Sequence, residues 1–140
     1  VYRLYTSKDS AAVIIPISGK GLWSTLYGYF VIDSKDMNTV TGITFYDHGE
    51  TPGLGAVAAE PKFTNQFRLP SDTLINPKQI FDYKGNLVSI KVIKGKADKN
   101  DIHVVDGISG ATVTSDGITD FLKRDLEKYK PYFDKEKIKQ

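Results

Sequence analysis

Four hydroxyl side chains and a glycine stand close together in one short segment of the chain. Ser109, Thr112, Thr114 and Ser115 lie within seven residues, and Gly110 stands among them. An apolar helical pattern follows, so this segment is expected at a helix start, where unpaired N–H groups attract anions such as phosphate. One of the hydroxyls can itself be esterified. On composition alone, however, a capped helix start without a ligand is the simpler explanation.

Two further segments carry residue types that suit a planar ligand. The loop His48–Gly55 contains three glycines and a proline, which let the backbone approach a ligand, and Glu50 and Thr51 add polar groups. The stretch Gly19–Ser24 contains the single tryptophan, Trp23. A tight connection after a strand explains the loop without a ligand, and a lone tryptophan beside a strand more often packs on the core or its rim.

The composition excludes several classes of site and partner. The chain has no cysteine, which removes disulfides, thiolate metal sites and cysteine nucleophiles, and its two histidines leave little material for a metal site. Its 19 basic and 17 acidic residues give a net charge of +2, which is too balanced to indicate a nucleic-acid-binding protein. The longest apolar stretch, residues 11–17, is far shorter than the roughly 20 residues of a membrane helix.

The first half of the chain is typical of strands. Ala11–Ile17 is apolar and β-branched, and Leu26–Ile32 is rich in aromatic and β-branched residues. The short polar link 33–38 leads into Val40–Tyr46, which predicts an antiparallel hairpin.

The middle of the chain gives weaker patterns. Ala56–Ala59 predicts a short helix that Pro61 ends, and Phe63–Pro77 has no clear period. Asp82–Ile93 alternates around a turn at Lys84–Asn86 and predicts a second hairpin.

The strongest helical pattern lies near the C-terminus. Its apolar stripe, at spacings of three and four, consists of Ile118, Phe121, Leu122, Leu126 and Tyr129. We expect Ser109 to cap this helix, Lys128 and Lys130 to lie in its last turn, and Pro131 to end it. Strands followed by one long helix predict a single α+β domain over residues 1–140, with antiparallel strands from both halves and the helix packed on the sheet.

Taken together, the three segments resemble the signatures of the covalent FMN-binding domains. The stretch Asp106–Thr114 is similar to the family pattern D-x-x-S-G-A-T-x-T, which is specific. The segments His48–Gly55 and Gly19–Gly28 resemble two further family signatures, in the same order and spacing. Lys91–Gly95 resembles the corresponding stretch of the C-type subunits of sodium-translocating NADH:quinone oxidoreductases. The resemblance extends from about residue 19 to about residue 121.

The resemblance implies a covalent cofactor. In the family, FMN is joined through its phosphate to the last threonine of the signature, which is Thr114 here, and an FMN transferase makes this phosphoester from FAD in the periplasm. The other implied contacts are Leu22, Trp23, Leu54 and Gly55 around the flavin ring, Glu50 and Thr51 at its polar edges, and Ser109, Gly110, Ala111, Thr112 and Val113 at the helix start. The three segments must then meet at one site.

Thr114 is expected to be the sole attachment point. Thr112 lies two residues away and points roughly 200° around a helix axis, so it cannot share the surroundings of Thr114. Asp106 precedes the helix, and we expect it to serve loop hydrogen bonding or recognition by the transferase.

The resemblance also implies a partner and a location. It indicates an electron carrier, without activity of its own, that works with the other subunits of a membrane complex coupling NADH oxidation to sodium export. In the family, an N-terminal membrane helix anchors this carrier. The present chain begins at Val1 without a methionine, and we expect it to be the periplasmic part of a longer protein.

Three alternatives stay open. The G-type subunit of the Rnf-type ferredoxin-coupled complex has similar S-G-A-T-x-T and E-T-P-G-L-G elements, although the Gly21–Gly28 stretch favours the quinone-reducing complex. A regulatory or receptor domain can carry covalent FMN outside any pump. A plain binding module could hold another phosphate at the same helix start.

Overall fold

A four-stranded antiparallel sheet forms one layer of the molecule. We describe it from a computed structural model, in which the described residues are 2–5 and 10–138. The strands lie side by side in the order β1 (Tyr2–Tyr5), β2 (Ser10–Lys20), β3 (Thr25–Asp33) and β4 (Val40–Asp47). The strands predicted over the first half of the chain, and the hairpin of β3 and β4, are confirmed.

One face of this sheet is covered by the rest of the chain. Along β3, buried residues alternate with more exposed ones, so that Leu26, Phe30 and Ile32 enter the core. Tyr27 and Tyr29 lie on the opposite face. Successive side chains of a strand point to opposite faces, and a second layer on one face therefore produces this period of two.

The segment after β4 consists of three short helical turns. They are a 3-10 turn at Gly55–Ala59, helix α1 (Pro61–Thr64) and a 3-10 turn at Asn65–Phe67. The predicted short helix is confirmed, but Pro61 does not end the helical region. It stands in the first turn of α1, where an N–H group is not needed. Phe67 packs edge-on against Phe30, with ring centroids 6.3 Å apart, which fixes this segment on the buried face of the sheet.

The hairpin predicted over residues 82–93 is wrong in its second half. The turn forms, because Asp82 accepts hydrogen bonds from the N–H groups of Lys84 and Asn86. Ser89 then takes a left-handed backbone conformation, with φ 62°, which interrupts an extended strand. The chain continues into β5 (Lys91–Ile93), which pairs in parallel with β6 (Val104–Asp106). The strands of the second half therefore form a separate parallel pair, not the expected antiparallel one.

Two helices, rather than one, close the chain. They are α2 (Thr112–Lys128) and α3 (Lys130–Ile138). The predicted stripe is confirmed, since its first four members are buried in the core and Tyr129 packs against it. Pro131 does not end α2, because α2 stops before Tyr129 and the proline lies in the first turn of α3. Lys130 is consequently not in the last turn of α2, and it pairs with Asp134 at 2.7 Å.

Helix α2 lies directly against the sheet. The N–H of Ser18 in β2 donates to the buried carboxylate of Asp125 at 2.9 Å, and the N–H of Val92 in β5 donates to Thr119 Oγ1 at 2.8 Å. Gly117 approaches the carbonyl of Lys20 so closely that a Cβ atom there would overlap it. The contact at Gly117 brings the N-terminal half of α2 to the end of β2, where residues 21–24 begin.

Among residues 2–5 and 10–138, no helix is both long enough and apolar enough to cross a bilayer.

Candidate functional site

The start of α2 is shaped by backbone geometry and by Ser115. Gly110 has a left-handed conformation, with φ 75°, and the N-cap position falls on Ala111, which makes no side-chain cap. The Ser115 hydroxyl accepts a hydrogen bond from the N–H of Ile108 at 3.2 Å and donates to the Ala111 carbonyl at 2.9 Å. Ser109 is exposed and lies outside the helix. The prediction that Ser109 caps the helix is therefore wrong, because the helix begins three residues later.

Thr114 is one of two buried hydroxyls in the first turn of α2, the other being Ser115. Thr114 is 1% exposed, and its Oγ1 donates a hydrogen bond to Glu50 Oε1 at 2.7 Å. Thr112, by contrast, is exposed, as expected of a residue two positions away on a helix. A Cβ atom built at Gly55 would lie 2.7 Å from Thr114 Oγ1, so the glycine provides the space that this hydroxyl occupies.

The carboxylate of Glu50 joins the three segments that the sequence singled out. Glu50 is 5% exposed. Its Oε1 atom accepts hydrogen bonds from the N–H of Leu22 (2.8 Å) and the hydroxyl of Thr114 (2.7 Å). Its Oε2 atom accepts hydrogen bonds from the N–H of Trp23, the N–H of Ser24 and the hydroxyl of Ser24, each at 2.9 Å. The prediction that the three segments meet is confirmed by these hydrogen bonds, but Trp23, Glu50 and Thr114 do not line the cavity of about 530 Å³ beside the helix start. All five donors belong to the chain itself, so the carboxylate is directed at Thr114 and the 22–24 turn.

These hydrogen bonds keep Glu50 ionised. Burial by itself raises the pKa of the carboxyl group, but the hydrogen bonds from Thr114, from the N–H groups of Leu22 and Trp23 and from Ser24 outweigh it and lower the pKa to about 2. The Thr114 hydroxyl therefore donates to a full negative charge at any neutral pH, and hydrogen bonds of this kind are stronger than neutral ones.

We expect acid to weaken the domain through this carboxylate. Because the pKa of Glu50 falls from its ordinary value of 4.5 to about 2 on folding, its contribution to stability is complete above pH 4.5 and is lost as the pH falls to 2. This contribution is measured by denaturant unfolding of the wild type and of Glu50→Gln, at pH 7 and at low pH. The stability gap between the two proteins should be on the order of 2 kcal/mol wider at pH 7. A gap that does not change with pH would contradict this assignment.

Apolar side chains lie exposed around this carboxylate and the helix start. The exposed fractions are 47% for Leu22, 71% for Trp23, 43% for Leu54 and 53% for Val113. The backbone of Leu22 and Trp23 is bound to Glu50, and Leu54 Cδ2 lies 3.0 Å from the position of a Cβ atom at Gly110. We refer to these four side chains as the apolar rim. Exposed aliphatic and indole groups next to a buried polar centre suit the face of a flat ligand.

Thr51 shapes the loop rather than the polar centre. Its residue is exposed, and its carbonyl accepts hydrogen bonds from the N–H groups of Leu54 and Ala56, each at 3.1 Å. The loop therefore closes back on itself and presents Leu54 at the rim.

A cavity of about 530 Å³ opens beside the helix start. It is lined at the helix start by Ser109, Gly110 and Thr112, and elsewhere by the charged residues Lys62, Lys94, Lys96, Asp106 and Asp116. Asp106 accepts a hydrogen bond from the N–H of Ala97 at 2.7 Å and lies 3.5 Å from Lys96 Nζ. This is the loop hydrogen bonding expected of Asp106. Sequence patterns did not reveal the three lysines, since their meeting depends on how α1 and the loop after β5 pack.

The arrangement offers the hydroxyl oxygen of Thr114, which is hydrogen-bonded to a carboxylate, and room for a flat anionic ligand nearby. The groups fit a flavin phosphoester: a hydroxyl at the N-terminus of a helix, three lysines in the adjoining cavity, and the apolar rim.

Comparison with known proteins gives the same family that the motifs indicate. The family model described as the FMN-binding domain matches residues 21–127. The C-type subunit of the Na(+)-translocating NADH-quinone reductase of Yersinia pestis is 49% identical over 106 residues, which cover 76% of this chain and 36% of that protein. The protein of the same name from Vibrio campbellii is 42% identical over 118 residues, or 84% of this chain and 41% of that protein.

A solved structure extends the likeness to the fold. Shewanella oneidensis NqrC superposes with a TM-score of 0.83 at 33% identity, covering 97% of this chain and 59% of that one. The chain thus spans less than half the length of the Yersinia and Vibrio relatives. Since the family model covers most of the chain, and since Glu50, Thr114 and the 22–24 turn lie within the matched range, the chain belongs to the FMN-binding domain family.

Proposed function

We propose that this domain carries FMN joined by a phosphoester to Thr114, and that it relays electrons as part of the C-type subunit of a sodium-translocating NADH:quinone reductase. The observation that carries the proposal is the hydrogen bond of Thr114 to Glu50. It brings the last threonine of the S-G-A-T-x-T motif into contact with Glu50 of the second family signature, and Glu50 in turn binds Leu22 of the third. Bound FMN would supply the redox chemistry, while the protein binds and orients it.

Different residues around Thr114 would bind the ring and the phosphate of such a cofactor. The apolar rim of Leu22, Trp23, Leu54 and Val113 would cover the flavin ring and exclude water from part of it. The N-terminus of α2 and the cavity lysines would favour the phosphate charge. Covalent attachment would keep the carrier in place outside the cell.

The relatives support a place for this domain in a larger assembly. The proteins from Yersinia pestis and Vibrio campbellii bear the name of a subunit of a Na(+)-translocating NADH-quinone reductase. We infer that this domain exchanges electrons with other subunits of such a complex. We further infer that it faces the periplasm, where an FMN transferase would load it.

The absorption spectrum of denatured protein tests the covalent cofactor. The full chain is exported to the periplasm of cells that hold an FMN transferase, purified, unfolded in denaturant and washed free of small molecules. A flavin band that stays with the protein is the expected result. A protein that is colourless after this treatment, although exported and exposed to the transferase, would refute the covalent assignment.

A further inference from the structure

The helix start contains four hydroxyls, and their surroundings differ. Ser109 and Thr112 are exposed. The Ser115 hydroxyl is engaged with the carbonyl of Ala111. Of the four, Thr114 donates to a carboxylate. Accessibility would therefore favour Ser109 or Thr112 as the group to be modified, whereas chemical environment favours Thr114.

Resting on the proposed attachment of FMN, we propose that Glu50 selects Thr114 as the nucleophile and accepts its proton during flavin transfer. The domain would thus supply part of the chemistry of its own modification. Glu50 touches the reacting oxygen, with 2.7 Å between Oε1 and Thr114 Oγ1. This distance lies within the range required of a proton acceptor. Because the pKa of Glu50 is about 2, the carboxylate holds the proton only while the new oxygen–phosphorus bond forms and then releases it to water.

The transfer balances without any oxidant or reductant. Thr114 Oγ1 forms a bond to the phosphorus of the FMN half of FAD. The bond from that phosphorus to the oxygen bridging to the AMP phosphate breaks, and AMP leaves with the electron pair. The hydroxyl proton of Thr114 passes to Glu50 Oε1 and from there to water. Protein kinases also use a carboxylate to accept the proton of the attacking hydroxyl, but there the carboxylate belongs to the enzyme and not to the protein that is modified.

The position of Glu50 does not depend on Thr114. Its Oε2 receives three hydrogen bonds from Trp23 and Ser24, and its Oε1 receives a second one from Leu22. Backbone N–H groups supply three of these four hydrogen bonds, so the carboxylate stays in place while the threonine reacts. Preorganised groups of this kind lower the cost of reaching the reactive geometry.

The hydroxyl must become accessible before it reacts. Gly55 lies against Thr114 Oγ1, and Leu54 lies over Gly110. The loop that holds Leu54 and Gly55 must therefore move away when the transferase binds. The hydrogen bonds from residues 22–24 hold Glu50 at the start of this loop, so the movement must be confined to the residues that follow Glu50.

Steady-state kinetics of flavin transfer test the proposal. The full chain is incubated with purified FMN transferase and FAD, and the FMN adduct is quantified by intact-mass spectrometry at several concentrations of the domain. Glu50→Gln keeps the size of the side chain but removes its charge. We expect kcat to fall about 100-fold, a size typical of a lost proton acceptor, with KM for the domain changed less than about twofold.

The matched control is Asp125→Asn. It makes the same acid-to-amide change at another buried carboxylate, which accepts a hydrogen bond from the N–H of Ser18 and has no contact with Thr114 or Glu50. Its kcat should stay within about threefold of the wild type. Equal loss of kcat in both variants would show that the loss of a buried charge acts only on structure and would overturn the proposal. A Glu50→Gln protein modified at the wild-type rate would overturn it as well.

Folding is controlled separately. Thermal unfolding is recorded for each variant, and kinetics are measured well below the transition. If Glu50→Gln does not fold, Glu50→Asp takes its place, since it keeps the charge but withdraws the carboxylate by one methylene group. Its kcat should fall about tenfold at unchanged KM, and an unchanged kcat would overturn the proposal. A wild-type chain that gains no FMN would instead refute the proposed function, which makes the two failures distinguishable.

Discussion

Replacing Thr114 with alanine is expected to abolish covalent incorporation of FMN. The wild type, exported together with an FMN transferase, should gain the mass of one FMN minus one water, and Thr114→Ala should gain nothing. The reason is that the variant lacks the one hydroxyl of this segment that donates to the Glu50 carboxylate. Intact-mass spectrometry of the purified proteins measures the result directly, without regard to electron-transfer activity.

Thr112→Ala is the control for this experiment. Thr112 lies in the same turn but is exposed, and its loss should leave at least about half of the protein modified, because it points away from Thr114. Thr114→Ala should still fold, since Glu50 keeps four other donors and the loss of one hydrogen bond to a charged group costs about 2 kcal/mol. A full mass increase in Thr114→Ala would move the attachment site to another residue.

Replacing Phe121 with alanine is expected to cause a large loss of stability. Phe121 is 2% exposed, and its ring packs edge-on against Phe45 with centroids 6.0 Å apart. Its side chain also fills the space above Gly19, where a Cβ atom would overlap it. Truncating a buried phenylalanine leaves a cavity that the sheet cannot fill, and the free energy of unfolding should fall by about 3–5 kcal/mol.

Leu74→Ala provides the comparison for Phe121→Ala. Leu74 is also a large apolar residue but is 89% exposed, so its replacement should change the free energy of unfolding by no more than about 0.5 kcal/mol. Urea denaturation, followed by circular dichroism, gives both values. A loss below about 1 kcal/mol in Phe121→Ala would mean that α2 does not depend on this contact with the sheet.

Local patterns predicted the elements that depend on neighbouring residues. The strands over Ala11–Ile17 and Leu26–Ile32, the short link to β4 and the apolar stripe of α2 are all present. Each depends on side-chain periodicity within one element, and a single buried face imposes that periodicity on the sequence. The motifs predicted the family in the same way, because they are contiguous.

Local patterns failed where backbone conformation decided the outcome. The alternation over residues 82–93 suited a hairpin, yet Ser89 has a positive φ and β5 pairs with β6 instead. Ser109 suited a helix cap, yet Gly110 turns the chain and Ser115 engages the helix start. The proline at position 131 suited a helix end and equally well a helix start, and the structure places it in the first turn of α3.

The order of residues along the chain was enough to predict an α+β domain with three FMN-family motifs. How those motifs relate to one another depends on the folded chain. Thr114 and Glu50 are 64 positions apart in the chain, and their contact exists because Gly117 lets α2 approach the end of β2. That approach is set by packing between a helix and a sheet, whose energy comes from many buried contacts and not from any one motif. The motif indicated Glu50 as a contact to the flavin edge, whereas in the folded chain its carboxylate accepts a hydrogen bond from Thr114.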